Sequence, residues 1–401
     1  MHTVYICDAI RTPFGRYGGA LSGVRPDDLA AMVIRALMGR NAQLDWARLD
    51  EVYLGCANQA GEDNRNVARM AVILAGLPLE IPAVTVNRLC ASGLDAIICG
   101  ARAIAAGAAE LVLAGGVESM TRAPFVMGKA DAGFARSQVL EDTTMGWRFI
   151  NPSLKQRVGV DTMPETAENL ARDRGICRED QDAYSVRSQQ RYAQALARGF
   201  FAREIATVEV AAGRGKVQVV AADEHPRPEA TLEGLAKLKP VTGAAGSITA
   251  GNASGINDGA AAVLLASEDA VRIHGLTPKA RFVAAASAGV EPRIMGIGPV
   301  PAIRRLLART GVGLADVDLL EVNEAFAAQV LAVLRELSIA DDSGIVNPNG
   351  GAIAIGHPLG ASGARLITTA VNALHEQGAH RAICSLCVGV GQGVAALVER
   401  D

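Results

Sequence analysis

Short, continuously apolar runs alternate with longer Ala-rich segments along most of the chain. Residues 111–116 (L-V-L-A-G-G) and 382–387 (A-I-C-S-L-C) carry no charge, which is typical of strands buried on both faces of a sheet. The segments between such runs have the length and composition of helices. The alternation therefore predicts a layered α/β protein with a buried sheet.

The pattern is repeated within the chain. Residues 90–116 (C-A-S-G-L-D-A-I, a helix, G-A-A-E, L-V-L-A-G-G) correspond to residues 360–387 (G-A-S-G-A-R-L-I, a helix, Q-G-A-H, A-I-C-S-L-C). A second match joins L-D-E-V-Y-L-G, with Asp50, to V-D-L-L-E-V-N, with Asp318, at nearly the same spacing. Two matches at almost one spacing predict two similar halves.

A segment of different texture separates the halves, at about residues 121–250. It carries Met, Trp, Arg, Pro and charge in irregular order, a helix from about Arg178 to Gly199, and the basic patch A-K-L-K-P. Long inserted loops of this kind usually bind a ligand or a partner subunit. We therefore expect three regions: an N-terminal half (1–120 plus 251–272), an inserted loop domain (121–250) and a C-terminal half (273–401).

Bulk composition narrows the function classes. At 401 residues the chain exceeds the size at which one core keeps growing. No uncharged apolar run reaches the ~20 residues that cross a bilayer, and the N-terminus shows no leader, so no membrane contact is expected. A net charge of −3 with scattered signs gives no case for nucleic acid. Seven thinly spread cysteines fit a reducing compartment, which predicts a cytoplasmic protein.

Four residues are candidates for chemistry. Cys90 follows a strand-like run in V-N-R-L-C-A-S-G and precedes a helix, where the helix N-terminus favours thiolate over thiol. Far along the chain come Asn323 in N-E-A-F-A, His357 in G-H-P-L-G-A-S-G and Cys387 in C-V-G-V-G-Q-G. Together they can run acyl transfer.

The other cysteines suggest packing rather than chemistry. An isolated cysteine is usually a small buried hydrophobe, and Cys7, Cys56 and Cys99 are interpreted in this way. Cys384 and Cys387 have C-x-x-C spacing, which is typical of zinc or redox sites, but a structural zinc needs four ligands and no second such pair exists. No metal site is expected.

The assembled motifs resemble those of the thiolase family over residues 2–400. A-I-R-T-P-F-G, V-N-R-L-C-A-S-G, G-G-V-E-S-M, T-A-G-N-A-S-G-I-N-D-G-A, N-E-A-F-A, N-P-N-G-G-A-I-A-I-G-H-P-L-G and C-V-G-V-G-Q-G follow the family's order. The resemblance implies a thiolase-like α/β fold, with two βαβαβαββ halves packed in five layers (α-β-α-β-α) and an inserted loop domain. It also implies a homotetramer built as a dimer of dimers.

Within the family, the insertion most resembles 3-oxoadipyl-CoA (β-ketoadipyl-CoA) thiolases, through G-W-R-F-I-N-P, G-V-D-T-M-P-E-T-A-E-N and D-E-H-P-R-P-E-A-T-L-E-G-L-A-K-L-K-P. Such enzymes cleave 3-oxoadipyl-CoA with CoA into succinyl-CoA and acetyl-CoA in aromatic-compound degradation. Acetoacetyl-CoA thiolases usually have His just before the Met of the M-x-x-T-A-E element, where this chain has Thr162 before Met163. The difference argues against an acetoacetyl-CoA enzyme.

The resemblance implies a role for each catalytic candidate. Cys90 attacks C3 and carries the succinyl group as a thioester. His357 takes the Cys90 proton, and Cys387 protonates the acetyl-CoA enolate and later deprotonates CoA. Asn323 holds a water that forms one oxyanion site with His357, while the backbone N–H groups of Cys90 and Gly389 form the other.

CoA is expected as a co-substrate, with no permanently bound cofactor, and it should lie across the insertion. The binding candidates are Ser254 (pantetheine), Arg227 (adenine or phosphate), Met295, Phe326 and Met163 (pocket walls) and Arg148 (the substrate's free carboxylate). Ordinary core packing is the alternative for Met295 and Phe326. A surface arginine is the alternative for Arg148.

Two other functions stay open on the sequence. One is a short-chain or broad-specificity acetoacetyl-CoA thiolase, which would lose nothing on Arg148→Ala. The other is a non-catalytic protein that binds acyl-CoA or lipid, which would not need all four catalytic positions filled. An acyl-condensing synthase is disfavoured because such enzymes usually lack an acid/base cysteine in a C-V-G-V-G loop.

Overall fold

The computed structural model describes residues 2–211, 213 and 215–400. The strands are β1 (Val4–Arg11), β2 (Gly15–Arg16), β3 (Glu51–Gly55), β4 (Ala83–Val86), β5 (Leu111–Ser119), β6 (Phe125–Met127), β7 (Leu140–Asp142), β8 (Val208–Ala211), β9 (Val217–Val220), β10 (Asn257–Ser267), β11 (Ala280–Gly289), β12 (Leu319–Val322), β13 (Arg381–Val388) and β14 (Gln392–Glu399).

The helices are α1 (Pro26–Arg40), α2 (Val67–Ala75), α3 (Ser92–Ala105), α4 (Pro152–Val158), α5 (Met163–Arg174), α6 (Arg178–Ala197), α7 (Leu232–Ala236), α8 (Glu268–His274), α9 (Pro299–Thr310), α10 (Ala327–Glu336), α11 (Ala352–Ile355) and α12 (Leu359–Gln377). Short 3-10 turns lie at Trp46–Arg48, Leu89–Ala91, Phe200–Arg203, Pro292–Ile297 and Leu314–Asp316.

The two halves share most of their strand arrangement, but among the described strands the second half has no counterpart of β4. Only a bridge between Leu320 and Val346 lies at that place, so the second half departs from the predicted βαβαβαββ order. In the first, β4, β3 and β5 are parallel neighbours, and β10 and β1 follow antiparallel. In the second, β12 and β13 are parallel, and β14 and β11 follow antiparallel. The half-sheets are joined at one edge, where Tyr5 and Ile6 of β1 pair with Arg281 and Ala280 of β11. The predicted repeat is therefore present, and its halves form one continuous sheet.

Five layers result from the packing of helices on these half-sheets. Helices α1 and α2 cover the outer face of the first half-sheet, and α9 covers that of the second, with α10 packed beside it. Helices α3 and α12 pack against each other between the half-sheets. This is the α-β-α-β-α arrangement expected for the fold, and it has three apolar cores.

The two sequence matches have structural counterparts. Helices α3 and α12 follow the matched C-A-S-G and G-A-S-G motifs and form the middle layer. The Asp50 carboxylate accepts the backbone N–H groups of Glu110 and Leu111 where β5 begins. The Asp318 carboxylate accepts those of His380 and Arg381 where β13 begins. The same aspartate interaction therefore holds the equivalent strand in both halves.

The middle helices approach each other through glycine. A Cβ added at Gly93 of α3 would collide with the carbonyl oxygen of Gly360 in α12. A Cβ at Gly363 would collide with the backbone N of Leu94. Only glycine permits this backbone contact, so α3 and α12 are held in one register.

The inserted region contains β6 to β9 and α4 to α7. Its longest helix, α6, covers the predicted helical segment. The hairpin of β6 and β7 stands apart from the main sheet, as does the pair β8–β9. Among the described helices none is both long and apolar enough to cross a membrane. The boundaries drawn at residues 121, 251 and 273 stay predictions.

Candidate active site

A strained turn carries Cys90. After β4 the chain enters the 3-10 turn Leu89–Ala91, in which Leu89 has φ +46°. The Ser92 hydroxyl accepts from the Arg88 N–H (2.9 Å) and donates to the Leu89 carbonyl (2.6 Å). This left-handed backbone conformation is rare in residues other than glycine. The serine hydrogen bonds stabilise the turn and set Cys90 just before α3.

Cys90 opens into a cavity of about 400 Å³. The cavity walls are residues 143–148 and 161–163 of the inserted region together with Ala57, Asn58, Leu89, Glu118, Met120, Leu359, Gly389 and Val390. Three predicted site residues are among them: Arg148, Met163 and Gly389. A largely apolar cleft with few polar groups and a thiol is suited to an acyl chain.

Burial favours the neutral thiol of Cys90. Burial raises its pKa to about 11, and it outweighs the opposing effect of the backbone N–H groups of Gly389 and Cys90. The N–H groups favour thiolate and burial favours thiol, and the effect of burial is the larger; the contribution of the helix N-terminus stays a prediction. These same N–H groups point at the sulfur, as donors for a developing oxyanion would. Cys90 needs a base to act as a nucleophile.

His357 lies in the buried turn before α12. Its Nδ1 is 2.6 Å from Ser362 Oγ, and its Nε2 is 3.3 Å from the Asn323 amide nitrogen. Its backbone N–H donates to Asn257 Oδ1 at 3.0 Å. Burial, then the positive charge of Arg365, lowers the pKa of His357 to about 3. The imidazole is therefore neutral near pH 7 and has a lone pair to accept a proton.

Asn323 follows β12 and is fully buried. Its N–H donates to the Ser385 carbonyl at 2.9 Å, which fixes it beside β13. The next residue, Glu324, accepts hydrogen bonds from Tyr184 (2.9 Å) and Ser188 (2.7 Å) of α6. Asn323 Oδ1 accepts no hydrogen bond from any residue that the structure describes. Its amide oxygen is thus left to bind a ligand or a water.

Cys387 lies near the end of β13 and is 1% exposed. Burial, together with the charge that Cys90 would carry as thiolate, raises its pKa well above the usual range. The two thiols are thus close enough to interact. Cys384 is three positions away on the same strand, so its side chain points to the other face. The C-x-x-C spacing therefore brings no second thiol to this site.

The turn after Cys387 is sterically tight. Val390 and Gly391 have φ values of +62° and +81°, which turns β13 into β14. A Cβ at Gly389 would lie 3.1 Å from the Leu89 Cδ1 atom. A side chain at residue 389 would therefore crowd Leu89, beside Cys90; the oxyanion role of the Gly389 N–H stays a prediction.

Seven predicted residues are not among the cavity walls: His357, Asn323 and Cys387, whose positions are given above, and Met295, Phe326, Ser254 and Arg227. Met295 and Phe326 are buried in the outer core of the second half, as their alternative interpretation had it. Ser254 donates its hydroxyl to the Ala325 carbonyl (3.1 Å), and the exposed Arg227 guanidinium donates to nearby backbone carbonyls such as that of His225 (2.8 Å). Their roles stay predictions.

Sequence reasoning missed several polar residues at the site. They are Glu118, Asn257 and Ser362, all of which lie within the motifs described above. Glu118 could have been found from the sequence, because it is a lone carboxylate in the apolar strand β5. Among the described residues, ligand atoms of Cys56, Asp63 and Glu118 lie within 4.8 Å of one another. Each already has a hydrogen-bond partner in the protein, such as the Asn58 carbonyl for the Cys56 thiol (3.0 Å).

Comparisons with known proteins identify the family of the chain. The family models "Thiolase, N-terminal domain" and "Thiolase, C-terminal domain" match residues 4–269 and 276–400. The chain is 64% identical to a β-ketoadipyl-CoA thiolase of Pseudomonas knackmussii, covering 99% of both chains.

Two solved structures are similar over the whole chain. The Bacillus anthracis acetyl-CoA acetyltransferase has a TM-score of 0.93 and 41% identity, covering 100% of this chain and 99% of that one. Human mitochondrial 3-ketoacyl-CoA thiolase in complex with CoA has a TM-score of 0.92 and 42% identity, covering 100% and 98%. Since these proteins differ in their named activities, the fold alone does not select the acyl chain. Matched along nearly its full length by both family models, the chain belongs to the thiolase family.

Proposed function

We propose that the protein is a 3-oxoadipyl-CoA thiolase that cleaves its substrate with CoA into succinyl-CoA and acetyl-CoA during aromatic-compound degradation. The 64% full-length identity to a β-ketoadipyl-CoA thiolase carries the proposal. The cavity beside Cys90 supports it, because its walls combine apolar surface with the cation of Arg148.

The first half-reaction breaks the bond between C2 and C3. His357 Nε2 takes the Cys90 proton as the sulfur attacks the C3 ketone, which becomes a tetrahedral oxyanion. The N–H groups of Cys90 and Gly389 stabilise that oxyanion. When it collapses, the C2–C3 bond breaks, and Cys387 gives its proton to C2 of the departing enolate. Acetyl-CoA leaves, and Cys90 keeps the succinyl group as a thioester.

The second half-reaction transfers this acyl group to CoA. The Cys387 thiolate takes the proton of the CoA thiol, and the CoA sulfur attacks the thioester carbon. The same N–H groups stabilise the second tetrahedral oxyanion, which expels Cys90. The proton held by His357 returns to the Cys90 sulfur, and succinyl-CoA leaves with every group restored. In the first half-reaction, a water held by Asn323 stabilises the enolate oxygen of acetyl-CoA together with His357.

The free carboxylate of the 3-oxoadipyl group is bound by Arg148 in this proposal. Arg148 lines the cavity that holds Cys90, and one guanidinium nitrogen lies 3.5 Å from Asn58 Oδ1. Asn58 in turn donates to Thr143 Oγ1 at 3.0 Å, which fixes its orientation. A guanidinium held in this way presents several N–H donors to a carboxylate.

CoA, the co-substrate, is proposed to lie across the inserted region and to contact Ser254 and Arg227. Met163 is proposed as an apolar wall, and Met295 and Phe326 are proposed to contribute through the core against which Met163 packs. The assembly is proposed to be a homotetramer formed through the β6–β7 hairpin, on which Phe125, Met127 and Leu140 are more than half exposed. Seven free cysteines support a cytoplasmic location.

The deciding experiment compares kcat/KM for 3-oxoadipyl-CoA, acetoacetyl-CoA and 3-oxohexanoyl-CoA, with Cys90→Ala as the blank. We expect a preference for 3-oxoadipyl-CoA of about 10-fold or more, equivalent to ~1.4 kcal/mol of transition-state discrimination. Equal turnover of all three would leave a thiolase of broad specificity. No turnover of any would indicate a protein that binds acyl-CoA without catalysis.

A further inference from the structure

The His357 turn belongs to the second half but packs on the first. A Cβ at Gly360 would collide with the carbonyl oxygen of Val117 in β5. Gly356, with φ +107°, leaves no room for a Cβ beside the side chain of Asn257 in β10. The backbone around His357 is thus in direct contact with two strands of the other half.

Two buried side chains of the first half hydrogen-bond to this backbone. Asn257 accepts the His357 N–H at its Oδ1 (3.0 Å) and donates from its Nδ2 to the Gly15 carbonyl (2.9 Å). Glu118 accepts the Gly360 N–H at its Oε2, at 2.7 Å. The turn is therefore held at two points: the backbone N–H of His357 itself and the backbone N–H of Gly360, three residues later.

Glu118 also holds the cavity wall. Its Oε2 accepts the Ala57 N–H and its Oε1 accepts the Asn58 N–H, both at 2.9 Å. One carboxylate thus joins the segment that lines the cavity to the start of α12. A neutral amide could not reproduce this, because one carboxylate oxygen accepts two N–H groups and the other accepts a third. An amide has only one acceptor atom.

We propose that Asn257 and Glu118 are positioning residues that set His357 at the distance from Cys90 required for proton transfer. The inference rests on the thiolysis proposed above. Neither side chain takes part in bond making. Each acts through the backbone of the His357 turn, so its loss should move the base away from the sulfur. Loss of Asn257, which does not line the cavity, should leave the cavity able to bind substrate. Misplacement by about 1 Å can cost on the order of 10²-fold in rate.

The test uses Asn257→Ala and Glu118→Gln, with Asn41→Ala and Glu204→Gln as matched controls. Asn41 is a buried amide that donates to Asp8 (2.9 Å), and Glu204 is a fully buried carboxylate that accepts from Arg11 (2.7 Å). Both controls lie outside the catalytic and binding machinery. Three quantities are measured on the full-length protein: steady-state kinetics with the fastest substrate of the wild type, the rate of Cys90 alkylation by iodoacetamide, and Tm.

We expect kcat of both test variants to fall by about 10-fold or more. KM should change by less than about threefold for Asn257→Ala, whereas Glu118→Gln should also raise KM because it loses contacts to the cavity wall. Alkylation of Cys90 should slow toward the rate of a His357→Ala variant. The controls should keep the wild-type kcat and alkylation rate even where Tm falls.

The proposal is overturned if kcat and alkylation of both test variants stay within about twofold of wild type. It is also overturned if the control variants lose as much activity per degree of lost Tm as the test variants do. If Asn257→Ala does not fold, Asn257→Ser replaces it in the same assays. Because alkylation needs no substrate, a wrong assignment of the acyl chain would leave this readout intact.

Discussion

Ser362 holds the Nδ1 atom of His357. Its hydroxyl lies 2.6 Å from His357 Nδ1 and 2.8 Å from the carbonyl of Pro358. When the hydroxyl donates its one hydrogen to that carbonyl, Nδ1 is the donor to Ser362. The Nε2 of His357 is then the unprotonated nitrogen. A neutral imidazole held in this tautomer can accept the proton of Cys90 at Nε2.

Ser362→Ala should therefore reduce kcat by about 10-fold or more, because the imidazole loses the group that fixes its tautomer and orientation. Stability should fall by ~1 kcal/mol, the usual effect of one lost buried hydrogen bond. Ser185→Ala is the matched control, since the Ser185 hydroxyl also donates to the carbonyl four residues back (2.8 Å) but lies in α6. Equal kcat in both variants would contradict the tautomer argument.

The reactivity of Cys90 should rise with pH well beyond the range of an ordinary thiol. Burial raises its pKa to about 11, so the thiolate fraction grows about tenfold per pH unit through pH 10. The measurement is the rate of Cys90 alkylation by iodoacetamide between pH 7 and 10, with N-acetylcysteine as the reference. A plateau near pH 8 would mean that the N–H donors outweigh burial.

Acid should destabilise the protein through His357. The pKa of His357 is lowered from 6.5 to about 3, so between these values the unfolded chain binds a proton that the folded protein does not. Stability from this group is present above pH 6.5 and is lost as the pH falls toward 3, by ~1.4 kcal/mol per pH unit. Urea unfolding of wild type and His357→Asn at pH 7, 6 and 5 should show a shallower slope in the variant. Parallel slopes would refute the shift.

Arg148→Ala should act on one substrate only. Loss of a charged hydrogen bond to the distal carboxylate costs ~1.5–3 kcal/mol, so kcat/KM for 3-oxoadipyl-CoA should fall by about 10- to 100-fold. Acetoacetyl-CoA has no such carboxylate and should be cleaved at the wild-type rate. Arg157→Ala, an exposed arginine in α4, is the control. Equal losses for both substrates would assign Arg148 a general structural role.

The β6–β7 hairpin should govern self-association. Replacing Phe125, Met127 and Leu140 by Ser removes its exposed apolar side chains, and light scattering after size-exclusion chromatography should show dimers in place of tetramers. Val217→Ser with Val219→Ser in β9 is the control, since these valines are similarly exposed. An unchanged tetramer in the hairpin variant would exclude this contact.

Sequence patterns predicted best those features that depend on local chemistry. The repeat around Asp50 and Asp318 was visible because each aspartate binds the N–H groups that begin the next parallel strand. The motifs around Cys90 and Gly389 were visible because a strained turn and a tight approach restrict residue choice. Local requirements of this kind leave a recognisable signature in the chain.

The large effect of burial on Cys90 could not be predicted from sequence, because it depends on distant segments that cover the thiol. A helix N-terminus is visible in sequence, but the covering residues 143–148 come from the inserted region. The contact of Glu118 with Gly360 likewise joins two halves far apart in the chain. Long-range contacts of this kind have no short sequence pattern.

The glycine contact between α3 and α12 has a consequence for folding. Two family models divide the chain near residue 270, yet the middle core takes residues from both parts, such as Leu94 and Leu366. Neither part could bury its face of this core alone, because separation would expose apolar side chains to water. The halves should therefore melt in one cooperative calorimetric transition. The two regions that the family models match separately would then unfold as one thermodynamic unit.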